Sequence, residues 1–407
     1  MQGFWRKPRQ QRWRGWTFEV HLWSGLILGL WAIVIGLSGS ALVFEEEIQR
    51  AVEPELHIIE PGVAPQRLST IVETIRAHFP QHQVHGFRGI DEVERSHVAY
   101  IARREEPDGK PVDWRYIHYD PYTGRILGVE QDGEGFFPFL QDLHYNLLAG
   151  AIGRQINGAL AVGLLLMCLT GIVIWWPGPS GWKRALSVKW AAGWKRVNYD
   201  LHSAVGFYSA AVLAALSFTG LFFAFPLPIV LFFTMVSGGD IEDVQAYFVP
   251  PRSTVVEDAP VYPLDQVMAR QSELMPADFA LVGIDLPAGK EEGIYRLNGR
   301  LGDNPLLVSL GGAFVDQYSG ELLGDYDTRL QPWGIQLVLT FTPIHFGTFG
   351  GLWSKALWFM VGFAPGGLFL SGFFMWWNRV AGKRYQAWKR QRRAGDMGEP
   401  PREGTAR

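Results

Sequence analysis

Four long apolar runs constrain this chain more than any other feature. Residues 18–44, 152–176, 201–225 and 352–377 are almost uncharged. At ~1.5 Å per residue, about 20 residues of helix cross a ~30 Å hydrocarbon layer. Only a helix or a closed barrel satisfies its own backbone polar groups there, and unbroken apolar runs point to helices. Pro365 predicts a kink in the fourth span. The run 221–236 holds Pro226 and Pro228, and its second half reads as an interfacial segment rather than a fifth span. Charged residues make up 19% of the chain and mean hydropathy is near zero, so apolar spans must alternate with polar segments.

Basic residues flank one end of each span. Arg6, Lys7, Arg9, Arg12 and Arg14 precede the first. Lys183, Arg184, Lys189, Lys195 and Arg196 lie between the second and third. Arg379, Lys383, Arg384, Lys389 and Arg390 follow the fourth. All three groups share one side if every span crosses, and that side is expected to be cytoplasmic. A cleaved signal peptide is the competing reading of the first span, but its apolar stretch exceeds a signal's 7–15 residues. The expected organisation is a basic N-terminus with the first span (1–44) and an outer segment (45–143). A second span preceded by a histidine (144–176) and a basic loop (177–199) follow. Then come a third span (200–226), a second outer segment (227–344), a fourth span with its preceding histidine (345–378) and a basic tail (379–407).

The chain repeats itself. His21 and His202 open the first and third spans, each with glycine four residues on (Gly25, Gly206) and a hydroxyl–glycine pair at offsets 17 and 18 (Ser38-Gly39, Thr219-Gly220). His144 and His345 precede the second and fourth spans. Each has a basic residue at offset 10 (Arg154, Lys355), glycine at offset 27 (Gly171, Gly372) and a Trp pair at offsets 31 and 32 (Trp175-Trp176, Trp376-Trp377). The outer segments match too: Asp120-Pro-Tyr-Thr123-Gly124 parallels Asp316-Gln-Tyr-Ser319-Gly320, both tight-turn sequences. Alternating apolar runs precede these turns (98–101 and 116–119; 293–297 and 306–310), and an amphipathic stretch precedes those (68–79; 264–274). Each outer segment therefore reads as a helix on a small antiparallel sheet. The expected fold is an internally duplicated bundle of four transmembrane helices with two external α+β domains.

The topology places His21 and His202 at one face and His144 and His345 at the other. Ionisable residues at membrane depth are costly and usually functional, and imidazole is the commonest metal ligand. Two facing histidines can ligate one haem iron from both sides. Gly25, Gly206, Gly39, Gly220, Gly171 and Gly372 would let a flat macrocycle approach the backbone. Each helix would then give a ligand to one haem and room to the other. Arg154 and Lys355 are candidates to contact the propionates of an outer haem, and Arg14, Lys195 and Arg196 those of an inner one. The competing readings are interfacial histidines with satisfied hydrogen bonds and glycines that serve helix packing. Zinc or copper is the other occupant such pairs suit, although Cys, Met and carboxylate partners are sparse there. Asp142 and Asp200 precede histidines by two, a spacing that does not face; Asp200 reads as an N-cap.

Other chemistries find little support. The histidines His78, His82 and His85 have a spacing that suits a metal, but the second repeat lacks them and a solvated surface is the favoured reading; Glu45, Glu46 and Glu47 read as a solvated helix end. A single cysteine, Cys168, excludes a disulfide scaffold, and a net charge of −3 shows no nucleic-acid footprint. There is no C-x-x-C-H, no P-loop, no nucleophile triad, and no G-x-G-x-x-G of a nicotinamide or flavin domain.

The His-x3-Gly starts, the Leu-His and Ile-His before spans two and four, the Gly-x3-Trp-Trp ends and the two Asp-x-x-Thr/Ser-Gly hairpins together resemble the PepSY-associated transmembrane-helix family. These are iron-regulated inner-membrane proteins of bacteria, and the branch resembled contains the ferrioxamine reductase. The resemblance covers roughly residues 10–390. It implies two periplasmic PepSY domains and two b-type haems, with His21, His202, His144 and His345 as axial ligands and haem iron as the only metal. It also implies reduction of a ferric siderophore on the periplasmic side, with cytoplasmic N- and C-termini. The electron donor would be a separate cytoplasmic reductase or a quinol, since no flavoprotein domain follows the fourth span. The alternative is a non-catalytic, membrane-anchored PepSY module that binds or regulates a periplasmic partner.

Overall fold

The computed structural model describes residues 12–105, 110–240, 250–256, 258–287, 293–305 and 309–396. Arg6, Lys7, Arg9 and the 306–308 part of one expected strand lie outside the described residues. The chain divides into two compact units. A helical unit comprises Met1–Ala41, Ala151–Ala224 and Ala356–Arg407, and a sheet unit comprises Leu42–Gly150 and Phe225–Lys355.

Among the described residues, four helices are long and apolar enough to cross a membrane: Trp13–Val43, Gly150–Trp175, Trp194–Ala224 and Leu352–Val380. The fourth breaks at Phe363, between Leu352–Gly362 and Ala364–Trp376, with Pro365 in the first turn of the second piece. The break has a local cause and a local remedy. Pro365 has no N–H to give to the preceding turn. Phe363 N–H bonds Met360, three residues back, and the hydroxyl of Ser40 donates to the Phe359 carbonyl at 2.9 Å. Small residues allow this approach. A Cβ on Gly36 would run into the Gly362 carbonyl, and one on Gly362 into the Ser40 hydroxyl. The prolines at 226 and 228 start a separate helix, Pro226–Val236, whose 11 residues are too few to span.

The sheet unit revises the expectation of two outer domains. Strands β1 (Gln83–Arg88), β2 (His97–Glu105), β3 (Lys110–Tyr119) and β4 (Ile126–Gln131) form one antiparallel meander. β5 (Phe279–Asp285), β6 (Ile294–Leu301), β7 (Ser309–Asp316) and β8 (Leu322–Asp327) form another. The two join through β1 and β5 into one eight-stranded sheet, ordered β4-β3-β2-β1-β5-β6-β7-β8. The seam is antiparallel, with Gly86 opposite Asp285 and Phe87 opposite Ile284. An inner edge strand is a liability for a separate small domain, and pairing two such edges removes both. Gly86 is needed at this seam, because a Cβ there would meet the Ile284 carbonyl and the Tyr100 ring.

One core serves both halves. Ile71 and Ile75 of the helix Leu68–His78, and Val267 of the helix Leu264–Ala269, pack on the same face as Phe87, Ile101, Ile117, Ile284 and Leu297. Each such side chain stabilises the fold by about 1.5–3 kcal/mol on burial. The second amphipathic stretch is split: Gln271–Leu274 is a separate turn of helix, beyond Arg270, whose guanidinium donates to the Gly320 carbonyl at 2.6 Å.

Both hairpins form as their sequences predict. Asp120 accepts the N–H of Tyr122 at 2.8 Å and the Thr123 hydroxyl at 2.6 Å, and Gly124 has φ +74°. Asp316 accepts the N–H groups of Tyr318 and Ser319 at 2.9 and 2.8 Å, and Gly320 has φ +71°. Burial alone would raise both carboxyls, but these hydrogen bonds outweigh it and hold them below the usual range.

Candidate functional site: two histidine pairs

In the helical unit, His21 and His202 are positioned in the same way. His21 lies in the first span and its Nδ1 is 3.1 Å from Oγ1 of Thr170 in the second. His202 lies in the third span and its Nδ1 is 2.8 Å from Oγ of Ser371 in the fourth. Each hydroxyl already donates to a carbonyl of its own helix, Thr170 to Leu166 at 2.8 Å and Ser371 to Gly367 at 2.7 Å. The hydroxyls must therefore accept from the imidazoles. Nδ1 carries the proton on both rings, and Nε2 keeps its lone pair. This is the tautomer that a metal-ligating histidine needs.

The glycine after each hydroxyl makes room for the ring. A Cβ on Gly171 would stand 3.2 Å from His21 Cε1, and one on Gly372 would stand 3.4 Å from His202 Cε1. Gly171 and Gly372 thus seat the histidines themselves. Gly25 faces Met167 and Gly206 faces Leu368, both on the neighbouring span. Gly39 and Gly220 are half-buried, each after a buried hydroxyl residue, Ser38 or Thr219, that bonds its own helix.

Thr170 and Ser371 were not singled out from the sequence, although a hydroxyl residue precedes glycine at both repeat positions. One turn beyond Gly171 and Gly372, the indole Nε1 atoms of Trp175 and Trp376 are buried with no hydrogen-bond partner among the described residues. Trp175 also stacks on Phe207 at 4.1 Å between ring centroids. A buried N–H without an acceptor is costly. Two at equivalent positions fit a ligand that brings its own acceptor oxygens, as haem does with its propionates.

Asp200 is not an N-cap. The helix starts at Trp194, so Asp200 lies inside it, 3% exposed. Its carboxylate accepts the Lys189 N–H at 3.2 Å and pairs with Arg196 at 2.9 Å, which tethers the preceding loop. That pairing occupies Arg196. Arg14 donates to the Ile174 carbonyl at the end of the second span.

The second pair lies in the sheet unit. His144 sits in the last turn of the helix Phe136–Asn146, and His345 in the last turn of Phe341–Phe346. Their ring centroids are 6.3 Å apart at an interplanar angle of 60°. Imidazoles on opposite sides of one metal, with ~2 Å metal–nitrogen bonds, have centroids roughly 6 Å apart. Both helices end in left-handed residues, Leu147 and Leu148 at φ +51° and +58° and Gly347 at +69°. A non-glycine residue in this region costs about 1–2 kcal/mol, and such strain gathers at functional sites.

The carboxylates 45–47 are not a solvated helix end, because the sheet unit supplies each with a partner. Glu45 accepts the Gln141 amide at 2.9 Å, and burial raises its carboxyl despite that bond. Glu46 pairs with Arg95 and Arg50. Glu47 pairs with Lys355 at 2.6 Å; burial opposes its ionisation, but Lys355, a backbone hydrogen bond and Arg50 together outweigh it and lower the carboxyl. Lys355 is thereby committed to Glu47, while Arg154 is exposed.

The histidines 78, 82 and 85 do not converge. His78 bonds the Thr74 carbonyl at 2.8 Å, His82 pairs with Asp113 at 3.0 Å, and His85 packs on Trp114 at 4.8 Å between centroids. On the sheet face opposite the core helices, Arg88, Val98, Tyr100, Trp114, Tyr116 and Asp132 line a hollow of about 390 Å³. The Arg88 guanidinium lies 5.0 Å from the Tyr100 ring centre and 3.1 Å from Asp285.

Residues 18–379 match the family described as PepSY-associated TM region. The chain is also 24% identical over 256 residues to the uncharacterized protein PA4219 of Pseudomonas aeruginosa, covering 60% of this chain and 63% of that protein. The aligned part is therefore a little under two thirds of the relative's length. With four helices of membrane-crossing length and a family match over nearly all of them, the chain belongs to the PepSY-associated TM region family of membrane proteins.

Proposed function

We propose that the chain is a di-haem b reductase of the bacterial inner membrane that delivers electrons to a periplasmic ferric siderophore. The observation that carries this reading is the twin arrangement at His21 and His202, where a hydroxyl of the neighbouring span fixes Nδ1 and leaves Nε2 as the donor. His21 and His202 would hold one haem, and His144 and His345 the other. Bound haem supplies one-electron transfer. The protein's part is to fix the imidazole tautomers through Thr170 and Ser371, to seat the rings against Gly171 and Gly372, and to offer the Trp175 and Trp376 N–H groups to carboxylate oxygens. Electrons enter from a cytoplasmic reductase or a quinol.

The substrate's place on this reading is the hollow on the sheet. At about 390 Å³ it is within the range of small-molecule sites, and Arg88 with Trp114 and Tyr116 suits a polar chelate with flat faces. One electron taken up by Fe(III) gives Fe(II), which hard oxygen donors hold less tightly, so the iron leaves the chelate.

An optical spectrum of the purified chain in detergent, oxidised and then reduced, tests the proposal, with pyridine extraction to count haem. Close to two b-type haems per chain are expected, with re-oxidation of the reduced protein by a ferric siderophore. A colourless protein from haem-sufficient cells would sink the reading and leave a membrane-anchored binding module.

A further inference from the structure

We infer a metal site apart from both histidine pairs, for a divalent first-row ion, at the outer edge of the first meander. It consists of Glu53, His57 and Glu130. A ring nitrogen of His57 and one carboxylate oxygen from each glutamate all lie within 4.8 Å of one another. His57 is 8% exposed, and its Nε2 is buried with no hydrogen-bond partner among the described residues. A buried histidine with one ring nitrogen unsatisfied, set beside two carboxylates, is poor design for a plain ion pair and good design for a ligand set. Donors that share one ion through ~2.1 Å bonds lie roughly 3–4 Å apart, so side-chain shifts of about 1 Å would close the site.

A supporting shell is in place. His118 Nε2 is 3.3 Å from the Glu130 carboxylate, and its Nδ1 is 3.2 Å from the Ser96 hydroxyl. The His118 ring meets that of His57 edge-on at 5.1 Å. Ser96 and His118 thus orient Glu130 as a histidine-backed ligand is oriented elsewhere. Glu53 and His57 bracket the short helix Pro54–His57, and Glu130 lies on edge strand β4. An ion there would pin that helix to the strand and protect the sheet's open edge. One imidazole and two carboxylates suit Fe(II), Mn(II) or Zn(II) better than a thiophilic ion. The site stands independently of the haem reading.

Equilibrium dialysis of the untagged full chain against Zn(II), after chelator stripping, tests the assignment, with haem iron counted separately by pyridine extraction. One Zn(II) per chain is expected. Glu53→Gln and Glu130→Gln should each weaken binding more than tenfold, and His118→Asn by 10- to 100-fold. His57→Gln alters a buried group, so the exposed and half-exposed glutamates carry the test. Haem content should stay at the wild-type level in all of them. No bound zinc in the wild type, or binding unchanged in the Glu53→Gln, Glu130→Gln double variant, would overturn the site whatever the haem count.

Discussion

Thr170→Val removes one oxygen and keeps the shape of the side chain, so it isolates the hydrogen bond that sets the His21 tautomer. In the wild type Thr170 Oγ1 stands 3.1 Å from Nδ1 and its own proton is given to Leu166. The variant replaces that acceptor with a methyl group. Stranding a buried donor costs about 1–3 kcal/mol, which at 1.4 kcal/mol per tenfold is roughly a 5- to 150-fold loss of affinity for anything bound through Nε2. The range agrees with the ~10- to 100-fold typical of lost outer-shell partners of metal ligands. The assay is the rate of haem transfer from the purified variant to an excess of apomyoglobin. On the proposed di-haem reading, one haem should leave faster by that factor, and the other should leave at the wild-type rate. Thr170→Ser restores the acceptor and should restore the slow rate. A folded Thr170→Val protein that releases both haems as the wild type does would refute the tautomer argument, as would a serine variant that fails equally.

Three further outcomes follow from the geometry. Gly171→Ala should disturb the His21 ring, because the new Cβ falls 3.2 Å from Cε1, whereas Gly372→Ala, at an ordinary 3.4 Å contact from His202, should be milder; spectra at equal protein concentration compare them, and equal loss would contradict the packing. Ser40→Ala strips the donor from the Phe359 carbonyl at the break in the fourth helix and should cost about 1–3 kcal/mol, read as a lower thermal midpoint in detergent; an unchanged midpoint counts against it. Burial pulls His85 and His97 below the ordinary histidine range. The unfolded chain then binds more protons than the folded one below about pH 6.5, so this stability is full above that pH and is lost as pH falls. Hydrogen-exchange protection of β1 and β2, corrected for the intrinsic rate, should drop between about pH 6.5 and 5; protection that holds or rises would show the sign to be wrong.

Much of this protein is legible in its sequence, because its strongest constraints are local. A run such as 152–176 has no stable form in lipid other than a helix. Asp120 and Asp316 close their turns with atoms two and three residues away. The equal offsets around His21 and His202 already single out those histidines. What the sequence does not carry is pairing between residues far apart. Nothing local in Gly86 or Asp285 announces that β1 and β5 will join two meanders into one sheet, since either edge alone has the same pattern as a free one. The hydroxyl partners of His21 and His202 lie 149 and 169 residues away. The cluster 78/82/85 looked dense in sequence and disperses in space, while Glu53, His57 and Glu130 look unrelated and converge. Spacing along a chain fixes which face of a helix or strand a residue occupies. Only the packing of one element on another decides which atoms come within the few ångströms where hydrogen bonding and metal ligation act.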